Sequence, residues 1–153
     1  MTHVARVGLG TVAGLVVLLS GCSSESEPSV AGFADATVIT QEYEDTVASL
    51  DLPEGSTWPS TSFDNDAYST GYGAERAYEI WRCHWAREAV DSDGADRSKA
   101  MDHLTEYLDS DHFASADAAH REIFEKAVRK AGEGSDQGLN DFLEASCDGL
   151  VEP

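Results

Sequence analysis

The apolar run from Val7 to Leu19 does most to restrict what this chain can become. Only small residues and Thr11 interrupt it, and a single basic residue, Arg6, stands ahead of it beside His3. As a helix, about 13 residues reach only about 20 Å, short of the ~30 Å hydrocarbon core of a bilayer. A weakly basic start, an apolar core of this length and the small residues Ser20 and Gly21 behind it read as a secretory signal, not a spanning helix. The fold is therefore to be sought in the remaining residues, and it forms in an oxidising, extracytoplasmic compartment.

Leu19-Ser20-Gly21-Cys22 resembles the lipobox of bacterial lipoproteins. The resemblance implies a diacylglyceryl group on the Cys22 sulfur and cleavage by signal peptidase II between Gly21 and Cys22. It also implies a mature protein held on the extracytoplasmic face of the cell membrane. Its implied partners are the membrane, through the lipid anchor, and the lipoprotein-processing enzymes. The competing reading is ordinary secretion with Cys22 as a third free thiol. It fits less well, because an unpaired exposed cysteine is a liability in a secreted protein.

Cleavage would leave 132 of the 153 residues and remove one basic residue and no acidic one, taking the formal charge from −19 to −20. So negative a domain stays soluble and repels nucleic acid and anionic lipid headgroups. Nucleic acid is excluded as a partner, and the lipid should tether the domain away from the bilayer. With Cys22 acylated, Cys83 and Cys147 remain, and two thiols in an oxidising compartment are expected to pair. No two cysteines stand at CxxC spacing, so neither a redox dithiol nor a zinc knuckle is indicated.

Three parts follow: a signal peptide over 1–21, a Ser-, Glu- and Pro-rich tether over 22–32, and a domain over 33–153. Ile39, Tyr43, Val47 and Leu50 recur at helical spacing and predict a first helix over Val38–Leu50, stopped by Leu52-Pro53. Residues 52–73 are rich in turn formers and predict a long ordered loop whose Trp58, Phe63 and Tyr68 dock on the helices. A second helix over Ala74–Val90 carries Tyr78, Trp81 and Trp85 on one face and Cys83 on the opposite one, which makes it the central, doubly covered helix. Further helices are predicted over Arg97–Leu108 (N-cap Asp96), Ala116–Ala131 (N-cap Ser115, stop Gly132) and Leu139–Leu150, the last pointing Cys147 inward. No run alternates as a strand does. The expected fold class is all-α, a small bundle of four to five short helices with a long ordered N-terminal loop and one disulfide, Cys83–Cys147.

Catalytic constellations are weak. Glu75 and Glu79, or His84 and Glu88, stand one helical turn apart, as chance allows among 29 acidic residues. Neither GxSxG nor SxxK occurs, and Gly71-Tyr72-Gly73 lacks the Lys of a phosphate loop. Asp91-Ser-Asp-Gly-Ala-Asp96 resembles a calcium loop only loosely: Gly94 falls too early, Ala95 replaces a ligand, and Asp102 stands where a Glu belongs. Asp64-Asn65-Asp66 is weaker still, and the histidines are not at zinc-site spacings. His120 lies on an apolar face, where it is a core group bonded to backbone or Tyr, or else a pH-sensitive or ligand-contacting group. The stripe Tyr78, Trp81 and Trp85, with Trp58, could line a ligand face, although at helical spacing such a stripe is more often core.

The segment LPEGSTWP followed by GYGAERAYEIWRCHWAREAVD is similar to small lipoproteins of actinobacteria, over about residues 43–90. Arg outnumbers Lys, as suits a GC-rich genome. The resemblance implies no activity, cofactor or site residue. Three functions are therefore expected, in this order: a non-enzymatic envelope interaction domain that meets another envelope protein, a binding module for a small ligand or cation, and an envelope enzyme. No cofactor or metal is expected.

Overall fold

The computed structural model describes residues 32–64 and 67–150. Within them the fold is helical, with six helices and one minimal two-stranded sheet. Strand β1 (Phe33–Ala34) leads into α1 (Ala36–Val47), which Asp35 caps by accepting from the Thr37 and Val38 amides. Helix α1 ends earlier than Pro53 would require, because the chain turns at Ala48–Ser49 and enters a loop. Two residues of that loop form β2 (Tyr68–Ser69), antiparallel to β1 with Phe33 opposite Ser69. These strands correct the expectation of none. At two residues each they carry no periodicity, and they pair because the helices that follow them are packed together.

Helix α2 (Tyr72–Asp91) is the axis of the molecule and packs against α1, α3 and α6. Both of its faces are buried: Ile80, Trp81, Cys83, Trp85 and Ala86 lie within the core. Its start is Gly71, at φ 88°, which has no capping side chain. Glu42 of α1 supplies the cap instead, accepting from the amides of Gly71 and Gly73. At Gly73 the two helices touch backbone to backbone, since an added Cβ would fall on the Ile39 carbonyl.

Helix α3 (Gly94–Leu108) begins after Asp93, three residues before the expected Asp96 cap. A short α4 (Asp111–Ser115), capped by Ser110, occupies a stretch expected to be connection. Helix α5 (Ala118–Gly132) is capped by Asp117, which displaces Ser115 from that role. Its stop is Gly134 at φ 91°, not Gly132: Ser135 N–H donates to Lys130 O and Gly134 N–H to Ala131 O, a Schellman closure. Helix α6 (Gln137–Ser146) ends beside Cys147.

The Cys83–Cys147 disulfide forms, with Cα atoms 5.6 Å apart, and ties α2 to the end of α6 across a separation of 64 residues. The main core surrounds it with Trp85, Leu104, Tyr107, Phe124, Leu139 and Phe142. A second cluster joins Tyr43, Ala77 and Ile80 with Trp58 and Phe63 of the loop. Phe63 meets Tyr43 and Tyr68 edge-on, so the loop aromatics do dock as the sequence suggested. Arg97 closes the far end: it donates to the carbonyls of Ala89 and Ala131 and pairs with Asp136 at 2.7 Å, joining four helices.

Candidate functional site

Arg82 is the one buried charged side chain among the described residues, with 7% of its surface exposed. It sits on α2 between Trp81 and Cys83, in the stretch of that helix buried on both faces. Its guanidinium carbon lies 5.4 Å from the ring centre of Tyr107, 5.7 Å from Phe124 and 6.0 Å from Phe142. Helices α3, α5 and α6 each give one ring to this cage, whose electron-rich faces attract the cation. Among the described residues no carboxylate reaches Arg82 within ion-pair distance. Its polar partner is His120, with Nη1 and Nε2 2.7 Å apart. Arg82 Nε and the hydroxyl of Tyr107, itself only 3% exposed, have no partner. A buried cation without a counter-ion is costly, and in so acidic a domain its isolation is unexpected.

Arg82 borders a cavity of about 660 Å³, walled also by Glu75, Glu79, Tyr107, His112 and His120. Burial holds the pKa of both histidines below the ordinary range, and the nearby Arg82 charge pushes them further down, against weaker opposition from Glu75 at His112 and from Asp117, then Glu75 and Glu79, at His120. Burial raises the Tyr107 phenol despite the opposing pull of Arg82. His112 is held flat against Tyr78, ring centres 4.1 Å apart. Glu79 is engaged by Arg76 at 2.7 Å.

A second cavity, of about 640 Å³, runs between α5 and α6 and shares His120, Ala145 and Ser146 with the first. Its wall is apolar, with Phe124, Ala127, Phe142 and Ile123, the last 67% exposed. Lys126 and Lys130 stand at its rim. Helices α5 and α6 come close at Gly138, where an added Cβ would lie 2.9 Å from the Ala127 Cα.

The residues singled out in the sequence fall elsewhere. Trp81 and Trp85 are 6% and 1% exposed, and both indoles donate to the Asp51 carbonyl, at 2.8 and 3.0 Å. His103 stacks on Trp85 at 3.9 Å, with its pKa lowered chiefly by burial. Trp58 packs edge-on against Tyr43, and Tyr78 lies under His112. The four aromatics thus do not share one open face: Trp81 and Trp85 are core, Trp58 and Tyr78 are half-buried against it, and Tyr78 and Trp81 border a recess of about 310 Å³. His84 and Glu88 line a common cavity of about 570 Å³ without bonding each other. Glu88 accepts from Ser92, His84 Nε2 is unpartnered, and burial lowers the His84 pKa. No three His, Cys, Asp or Glu side chains converge as a metal site among the described residues, Asp91, Asp93 and Asp96 included. Gly21, Cys22 and the Asn65-Asp66 part of the weaker acidic motif lie outside the described residues. His120 bonds to Arg82, not to backbone or Tyr. Arg82 itself was not singled out. Its signal was an arginine on a helix predicted to be covered on both faces, which leaves that arginine no solvent to reach.

Comparison with protein-family models, curated proteins and solved structures finds no match for this chain.

Proposed function

We propose that this chain is a bacterial envelope lipoprotein, held at the extracytoplasmic face of the cell membrane by lipid on Cys22, whose helical domain is a non-enzymatic interaction module. The observation that carries this reading is how the three cysteines divide. Cys83 and Cys147 are joined, and the remaining cysteine is the one that follows Leu19-Ser20-Gly21 at the end of an apolar run. A disulfide closing so long a loop suits an oxidising compartment. The Ser- and Glu-rich segment behind Cys22 suits a tether that holds an acidic domain off the membrane.

The test is expression of the full chain and a Cys22→Ser version in a bacterial host fed labelled fatty acid. The reading expects label and detergent-phase partitioning for the wild type, and neither for Cys22→Ser. A wild-type chain without label overturns it.

A second reading, a module for a small ligand, is supported by one observation: Arg82 is buried beside a cavity, and none of the carboxylates that border it, Glu75, Glu79 and Asp117, forms an ion pair with it. The His112 and His120 rings make no hydrogen bond to a carboxylate among the described residues, Asp117 being bonded to the His120 backbone amide, so the arrangement is one for holding charge more than for moving protons.

A further inference from the structure

We infer that the two adjoining cavities at His120 form a binding site for an organic monocarboxylate with an apolar body, its carboxylate facing Arg82 and its body lying in the groove between α5 and α6. The inference rests on the small-ligand reading and gives it a chemistry.

Arg82 has no ion pair among the described residues. Arg82 is a permanent cation, nine-tenths buried, with one polar partner for a group built to donate in several directions. That partner, His120 Nε2, is neutral and cannot balance the charge. A planar carboxylate matches the guanidinium fork and supplies the direct ion pair that Glu75, Glu79 and Asp117, on the same cavity wall, do not make.

The cavity also limits how many charges the ligand carries. Glu75, Glu79 and Asp117 border it. They repel a dianion such as phosphate more strongly than a single carboxylate, so the site selects for one negative charge.

The two cavities adjoin: the groove shares His120, Ala145 and Ser146 with the cavity of Arg82, which sets an apolar wall next to the cation. Ile123 is exposed on that wall, and Lys126 and Lys130 rim it. Lys130 is paired with Glu133 at 2.7 Å and Asp141 also lines the groove, so Lys126 is the rim cation placed to meet an entering anion. Each cavity falls in the size range of small-molecule sites.

The test is equilibrium dialysis of the full chain in zwitterionic lipid nanodiscs, with empty nanodiscs as blank. The probes are phenylbutyrate, its neutral amide, acetate and inorganic phosphate. Saturable binding of phenylbutyrate is expected, with the other three at least about tenfold weaker. Arg82→Met should weaken phenylbutyrate binding by roughly thirtyfold or more. If Arg82→Met does not fold, Ile123→Asp decides, because an exposed side chain can be changed without disturbing the core. It should weaken phenylbutyrate about tenfold and leave the melting temperature unchanged. No saturable binding, equal binding of the amide, tighter binding of phosphate, or binding indifferent to Ile123→Asp would each overturn the inference. None of these readouts depends on lipid at Cys22, so failure here and failure of the envelope reading are separate results.

Discussion

Arg82 and His120 meet through nitrogen atoms 2.7 Å apart, and only one proton arrangement allows it. A guanidinium can donate but not accept, so Nε2 of His120 must carry the lone pair and Nδ1 the proton. The histidine is held neutral by its neighbour. Protonation would remove the acceptor and set two cations side by side inside the domain.

Stability should therefore depend on pH. The described histidines, 84, 103, 112 and 120, all have lowered pKa values, with burial the first cause in each. A group depressed in the folded state binds more protons when unfolded, so its contribution is present above about pH 6.5 and is lost as the pH falls through the folded pKa. The melting temperature should drop between about pH 6.5 and 5, before most carboxylates titrate. His120→Gln, which keeps a neutral acceptor for Arg82, should make that drop shallower. Thermal melts of the two proteins across this range check it, and a melting temperature that rises on acidification contradicts it.

Removing the disulfide should be expensive. It closes a loop of some 64 residues, and the loop-entropy relation assigns it about 4 kcal/mol. Replacing Cys83 and Cys147 together by Ser should lower the melting temperature by roughly 15 °C. Calorimetry of the double variant beside the oxidised protein measures this directly. A change of a few degrees would mean that packing around Trp85, Leu104 and Phe124 holds the domain without it.

Gly73→Ala should destabilise the protein although it improves local helix propensity. The new methyl would fall on the Ile39 carbonyl oxygen and 2.8 Å from the Tyr43 amide nitrogen, and backbone cannot step aside as a side chain can. A loss of about 1–3 kcal/mol is expected in urea unfolding. Gly132→Ala is the matched control. It too lies within a helix, nothing stands within 4 Å of its added Cβ, and it should be neutral or slightly stabilising.

Arg97 should prove to be the most consequential exposed-side cation. Its bonds reach the Ala89 and Ala131 carbonyls and Asp136, so it pins the ends of α2, α5 and α6 to α3. Arg97→Ala should cost about 2–3 kcal/mol in urea unfolding, and Arg97→Lys should recover less than half, because a point charge cannot serve three acceptors in a plane. The i,i+4 pair of Arg129 with Glu133 is the comparison: truncating it should change stability by less than about 0.5 kcal/mol.

Helix order, the central place of α2 and the Cys83–Cys147 bridge were legible in the chain because apolar periodicity and sulfur chemistry are local or countable. Helix ends were less so. Asp117 and Gly134 took the capping roles assigned to Ser115 and Gly132, since several acceptors and glycines compete within a few residues. The two short strands and α4 have no periodic signal at their length. The tryptophan stripe was legible as an apolar face but not as a closed one. What closes it is one carbonyl, of Asp51, thirty residues and more away in sequence. The Arg82 site depends on rings from three other helices, and no spacing within AERAYEIWRCHWAREAV encodes them.

Intact mass of the protein, extracted from its own membranes without reductant, measures the proposed anchor most directly. The expected product is a chain that starts at Cys22, carries a diacylglyceryl group there, and is two hydrogens lighter than its reduced form because Cys83 and Cys147 are joined. A chain that still starts at Met1, or that starts at Cys22 without lipid, would contradict it.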